Sequence, residues 1–103
     1  MGWVKIVLSI DKEKLGLDKI IKNSLTSCDL YILQKGDKVL LLYVFDKGDY
    51  FYFKIMPATI GKWEDCENAL YYAFGLFGFS KKNEYIEDKI KEKIEVLESY
   101  GLA

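Results

Sequence analysis

The chain has 103 residues, half of them apolar and 16% aromatic, and its sixteen acids against fifteen bases leave a net charge of -1. That is material for one hydrophobic core and too short a chain for two, so a single ordered domain over residues 1–103 is expected. Every base is lysine. Without histidine there is no Ser-His-Asp or Cys-His dyad and no imidazole metal ligand, and without arginine there is no bidentate fork for phosphate or guanine edges.

Residues 3–10 alternate, with Val4, Ile6, Leu8 and Ile10 on one side and Trp3, Lys5, Val7 and Ser9 on the other, which predicts a strand with one wholly apolar face. Leu17, Ile20, Ile21 and Leu25 then recur at helical spacing, with Asp18, Lys19, Lys22 and Asn23 on the far side, and predict a short surface helix.

Three strands follow, separated by "QKGDK" and "DKGD". Gly36 and Asp37 are expected at the centre of the first hairpin, and Lys47 and Gly48 at the centre of the second. Gln34 then faces Val39, and Phe45 faces Tyr50. On this register Leu33, Leu40, Leu42, Val44, Phe51, Phe53 and Ile55 share one face. Leu30, Ile32, Val39, Leu41, Tyr43, Phe45, Tyr50, Tyr52, Lys54 and Met56 share the other. Asp29 falls on the first face, where it needs a lysine or a wet strand end.

Pro57 closes the third of these strands. Trp63, Cys66, Leu70, Ala73, Phe74 and Phe77 then predict a helix whose second half, "ALYYAFGLFGF", is apolar on nearly every side. The last helix is the clearest, with Ile86, Ile90, Ile94 and Leu97 as its stripe, Glu87, Lys91 and Glu95 at four-residue spacing and Gly101 as its stop.

Cys28 and Cys66 are too few for a disulfide framework and lack zinc-site spacing. Two small buried hydrophobes is the favoured reading, with a bridge between them as the alternative. The N-terminus lacks a basic region before its apolar residues, and the longest uncharged stretch, 68–80, is too short for a bilayer, so a soluble cytoplasmic protein is expected. Abundant lysine and glutamate with few amides suggests a hot-living archaeon or one of its viruses as source.

Together these elements predict an α+β, β-α-β-β-β-α-α two-layer domain, with a mainly antiparallel four-stranded sheet and its helices on one face. The order is similar to that of the longin and roadblock dimerisation folds with one strand fewer, a likeness of topology that carries no motif and transfers no function.

Helices on one face leave the other apolar face in need of a cover. A second copy supplies one through a two-fold axis; the alternative is one helix on each face and a monomer that covers itself. The reading that follows is a non-enzymatic interaction or regulatory protein, such as an adaptor or inhibitor. It acts as a homodimer through Leu41, Tyr43, Phe45, Tyr50, Tyr52, Lys54 and Met56, and has no cofactor, metal or catalytic residue. The alternative is single-stranded nucleic-acid binding on Tyr43, Tyr50 and Tyr52, which the acidic balance opposes. A third is a carboxylate-metal hydrolase, which needs three or more carboxylates around one cavity and which this layout does not produce; Asp46 and Asp49, at the base of the second hairpin, are the candidate oxygen ligands for a hard cation.

Overall fold

The computed structural model describes residues 10–59, 65–71 and 74–102. The expected strand over residues 3–10 lies outside the described residues except for Ile10.

The chain forms β1 (Lys19–Ser24), β2 (Asp29–Lys35), β3 (Lys38–Asp46), β4 (Tyr50–Pro57), α1 (Cys66–Tyr71), β5 (Leu76–Lys81) and α2 (Ile86–Ser99). The strands pair in chain order as one five-stranded antiparallel sheet, β1-β2-β3-β4-β5. The α+β class stands, but the four-stranded β-α-β-β-β-α-α layout does not, and with it goes the longin-like order of elements.

Two segments account for the difference. Residues 19–24 are a strand where a helix was expected: the stretch is too short for its helical spacing to be decisive, and sheet pairing overrides it. The β-branched Ile20 and Ile21 fit a pleated edge better than a helix. Pairing with β2 settles it, Ile20 opposite Leu33 on the core side and Ile21 opposite Ile32 on the other.

The second helix was expected to run through Phe77, yet α1 stops at Tyr71 and Leu76–Lys81 join β4 as a fifth strand. Gly75 has a φ of 125°, outside any helix, and it precedes the alternation of Phe77, Gly78 and Phe79. An apolar run of that length does not distinguish a buried helix from a strand by periodicity.

Both hairpins form, the first in the expected register and the second shifted. β2 and β3 pair with Gln34 opposite Val39, across a turn at Gly36-Asp37. In the second hairpin Lys47 N–H donates to the Tyr50 carbonyl at 3.0 Å, so the central residues are Gly48 and Asp49 and Phe45 faces Tyr52, where Tyr50 was expected. Gly36 and Gly48 have φ of 60° and 94°, which suits glycine at the first central position of a tight hairpin. The turn moves by one residue and the register by two, so the facing sets keep their composition.

Those sets are the two cores. On one face Leu33, Leu40, Leu42, Val44, Phe51, Phe53 and Ile55 pack with Ile86, Ile90, Ile94 and Leu97 of α2 and with Leu15 and Leu17. On the other, Leu30, Leu41, Tyr43, Phe45 and Met56 pack with Cys28, and with Cys66 and Ala69 of α1. The helices therefore lie on opposite faces. The expectation that both helices share one face is thereby corrected, and the alternative of one helix on each face is the arrangement that forms.

α2 ends as its sequence predicts. The Gly101 and Leu102 N–H groups donate to the Glu98 and Leu97 carbonyls at 2.9 and 2.8 Å, with Gly101 at a φ of 74°. Lys35 Nζ meets Glu98 at 3.0 Å and ties that end to β2. Among the described residues no helix is long and apolar enough to cross a membrane.

Candidate interaction surface

Cys28 and Cys66 form a disulfide, Cα atoms 6.0 Å apart, which corrects the reading of both as free thiols. Each has an apolar setting, as a buried free cysteine would. What the sequence could not show is that the loop after β1 and the start of α1 converge on the same sheet face.

Beside the bridge lies Lys54, fully buried. Its Nζ donates to the Ala69 carbonyl at 2.8 Å and lies 4.8 Å from the centre of the Phe77 ring. Burial disfavours its charge and lowers its pKa below the ordinary lysine value. The carbonyl and the ring face offset that cost. The bridge and Lys54 both hold α1 to the sheet.

Among the described residues α1 buries Cys66 and Ala69 on this face, and the row of rings continues past them to the β4–β5 corner. There Tyr52 stacks on Phe77 with centroids 5.7 Å apart and planes 23° apart, and Tyr50 meets Phe79 edge-on at 6.0 Å. Cross-strand pairing explains this, since Tyr52 is directly opposite Phe79 and Lys54 opposite Phe77, all on one face. Tyr50 is 38% exposed, Phe77 44% and Phe79 64%, so the aromatic row continues out of the core into solvent.

A cleft of about 670 Å³ runs along this row, lined by Asp49, Tyr50, Tyr52, Phe79, Lys81, Lys82 and Asn83. Its charge is mixed. Lys82 Nζ bonds Asp46 at 2.8 Å and lies 5.0 Å from the Phe51 ring centre. That bond, and a second from the Gly48 N–H at 2.9 Å, hold the Asp46 carboxyl below its usual pKa.

Of the residues singled out from sequence, Leu41, Tyr43, Phe45, Lys54 and Met56 are buried in this chain's own second core, whereas Tyr50 and Tyr52 stand at the cleft. Phe77, Phe79, Lys81 and Lys82 belong to the surface and were missed. The signal for them was the alternation in "LFGFSK", hidden inside a helical reading. Asp46 and Asp49 flank the turn, and among the described residues no group of three or more metal-binding side chains is gathered. Asp29 lies opposite Val44 at the end of β2, with Lys22 Nζ 3.9 Å from its carboxylate.

In comparison with known proteins, no protein-family model, no curated protein and no solved structure matches this chain.

Proposed function

We propose that this chain is a non-enzymatic interaction protein that works as a homodimer, its contact surface being the aromatic corner of Tyr50, Tyr52, Phe77 and Phe79. The observation that carries the reading is the continuous row of rings leading from the second core into solvent, with Phe79 at 64% exposed. Clustered exposed apolar surface marks interaction sites, and aromatic rings dominate the energetics of such sites. Most of the second face is covered within the chain, and this corner is where its aromatic row reaches solvent. Sedimentation across a micromolar dilution series tests it: a dimer mass that dissociates on dilution is expected, and a constant 12.0 kDa rejects the reading.

A second reading draws on the exposure of Tyr50 and Phe79 beside Lys81 and Lys82, the arrangement that base stacking with phosphate contacts requires. Asp49 in the cleft and the commitment of Lys82 to Asp46 weaken it. Tight oligonucleotide binding that falls steeply with salt would promote it over the homodimer.

The disulfide bears on where the protein works. Such bridges persist in oxidising compartments and inside hyperthermophiles. The lysine-rich, amide-poor composition supports a cytoplasmic setting of the second kind.

A further inference from the structure

Among the described residues β5 pairs with β4 along one edge and with no strand along the other. Antiparallel alternation decides which backbone groups point outward. Ala58 N–H donates to the Val39 carbonyl, so the even-numbered residues of β4 turn to β3 and the odd ones, Phe51, Phe53 and Ile55, to β5. Their partners are Ser80, Gly78 and Leu76, and the bond from Lys82 N–H to the Asp49 carbonyl continues the same set. Phe77, Phe79 and Lys81 therefore direct their N–H and C=O groups away from the sheet.

We propose that β5 pairs antiparallel with β5 of a second copy, around a two-fold axis at Phe79, so that the two sheets become one. This rests on the homodimer reading above and specifies its geometry. Phe79 faces its own equivalent, Phe77 faces Lys81 of the second copy, and about six backbone hydrogen bonds close between the edges. On the aromatic face the rings continue across the junction, with each Lys81 beside a Phe77 ring.

The charges flanking β5 suit a self-match. Lys89, Glu92 and Lys93 of α2 line a cavity of about 410 Å³ together with Phe77, Gly78 and Phe79. The rim carries both signs, two lysines and one glutamate, so a two-fold arrangement can set Glu92 of one copy against a lysine of the other, where a rim of one sign would repel. The opposite sheet edge differs: Leu25 N–H donates to the Cys28 carbonyl, so by the same alternation Ile20, Lys22 and Ser24 direct their backbone groups outward from β1. Lys19 and Lys22 guard it, whereas β5 has no proline and one lysine, at its end.

Hydrogen exchange and sedimentation on the full chain test the proposal, with Lys81→Pro and Lys81→Ala as variants. Lys81→Pro deletes an outward donor that β4 does not use. It is expected to raise the dimer dissociation constant about ten-fold or more, with Lys81→Ala raising it less, through loss of the Lys81–Phe77 ring contact alone. The amides of Phe77, Phe79 and Lys81 are expected to be protected in the dimer and to exchange freely on dilution. A dimer in which those amides exchange freely, and which Lys81→Pro leaves intact, overturns the edge pairing while the homodimer reading survives. A monomer at every concentration overturns both, and protection of those amides in a monomer shows that the chain covers its own edge.

Discussion

The Phe53 ring fills the space where a side chain on Gly78 would stand. The two residues are directly opposite across β4 and β5, and a Cβ built on Gly78 would lie 2.4 Å from Phe53 Cζ. A buried ring lying over a cross-strand glycine lets the edge strand sit close on the α2 side and gives the ring a backbone wall to pack on.

Gly78→Ala is therefore expected to destabilise the fold by about 1 to 3 kcal/mol, the usual cost of overpacking a well-filled site, although alanine favours a strand over glycine by entropy alone. Urea unfolding of the variant checks this, and a midpoint equal to or above wild type would contradict it. Gly78→Ala combined with Phe53→Leu should recover part of the loss, because the shorter side chain vacates that space.

Cleaving the Cys28–Cys66 bridge removes a cross-link over a sequence separation of 38 residues. Loop-closure entropy assigns such a link about 4 kcal/mol. Cys28→Ser with Cys66→Ser, or reduction of the wild type, is expected to lower the urea midpoint accordingly. α1 is the element expected to loosen first, since it is held otherwise by the Lys54–Ala69 bond and a few buried contacts. Exchange at the amides of residues 67–71 should accelerate before that of β3.

Much of the fold was legible because its signals are local. Alternation in β3 and β4, the glycines of two hairpins and the isoleucine stripe of α2 each depend on residues within one or two turns of chain, and each element appears where those signals place it. The two failures share a cause. Residues 19–24 and 76–81 are short sheet edges, too short for periodicity to decide between helix and strand, and pairing with β2 and β4 decides them. The interaction surface suffered in turn: Tyr50 and Tyr52 were visible, but their companions Phe77 and Phe79 belonged to a strand read as helix. The bridge was invisible for a different reason, since pairing of distant cysteines depends on tertiary placement that spacing does not encode.

Alkaline unfolding should report on two buried phenols. Burial pushes the pKa of both Tyr31 and Tyr43 up to about 12, with smaller contributions from the charges of Asp29 and Asp65 respectively. The unfolded chain ionises these groups near pH 10, whereas the folded chain keeps its protons. Their stabilising contribution is therefore complete below about pH 10 and is lost as pH rises through 12, by roughly 3 kcal/mol for each group. Lys54 has the opposite sign: its folded pKa is depressed, so the cost of its buried charge is relieved as pH rises toward the ordinary lysine value. Urea midpoints at successive pH values above 9 should fall less steeply for Tyr31→Phe than for wild type. Parallel slopes would mean that Tyr31 ionises as readily folded as unfolded.

The neighbours on β4 and β5 should separate folding from association. Phe53 is fully buried among Leu42, Val44 and Ile90, so Phe53→Lys places an unpaired charge in the first core and is expected to unfold the chain. Phe79 is 64% exposed, meets the Tyr50 ring edge-on and stands opposite Tyr52. Phe79→Lys should leave the far-ultraviolet circular dichroism unchanged and the urea midpoint within about 0.5 kcal/mol of wild type, while abolishing the dimer, because two ammonium groups would meet at the axis. Tyr52→Lys is intermediate, since its stacked ring is half-buried against Phe77 and its loss costs the monomer some packing as well. If Phe79→Lys unfolds the chain as Phe53→Lys does, the aromatic corner serves the monomer core. If it leaves a wild-type dimer behind, the contact lies elsewhere on the molecule.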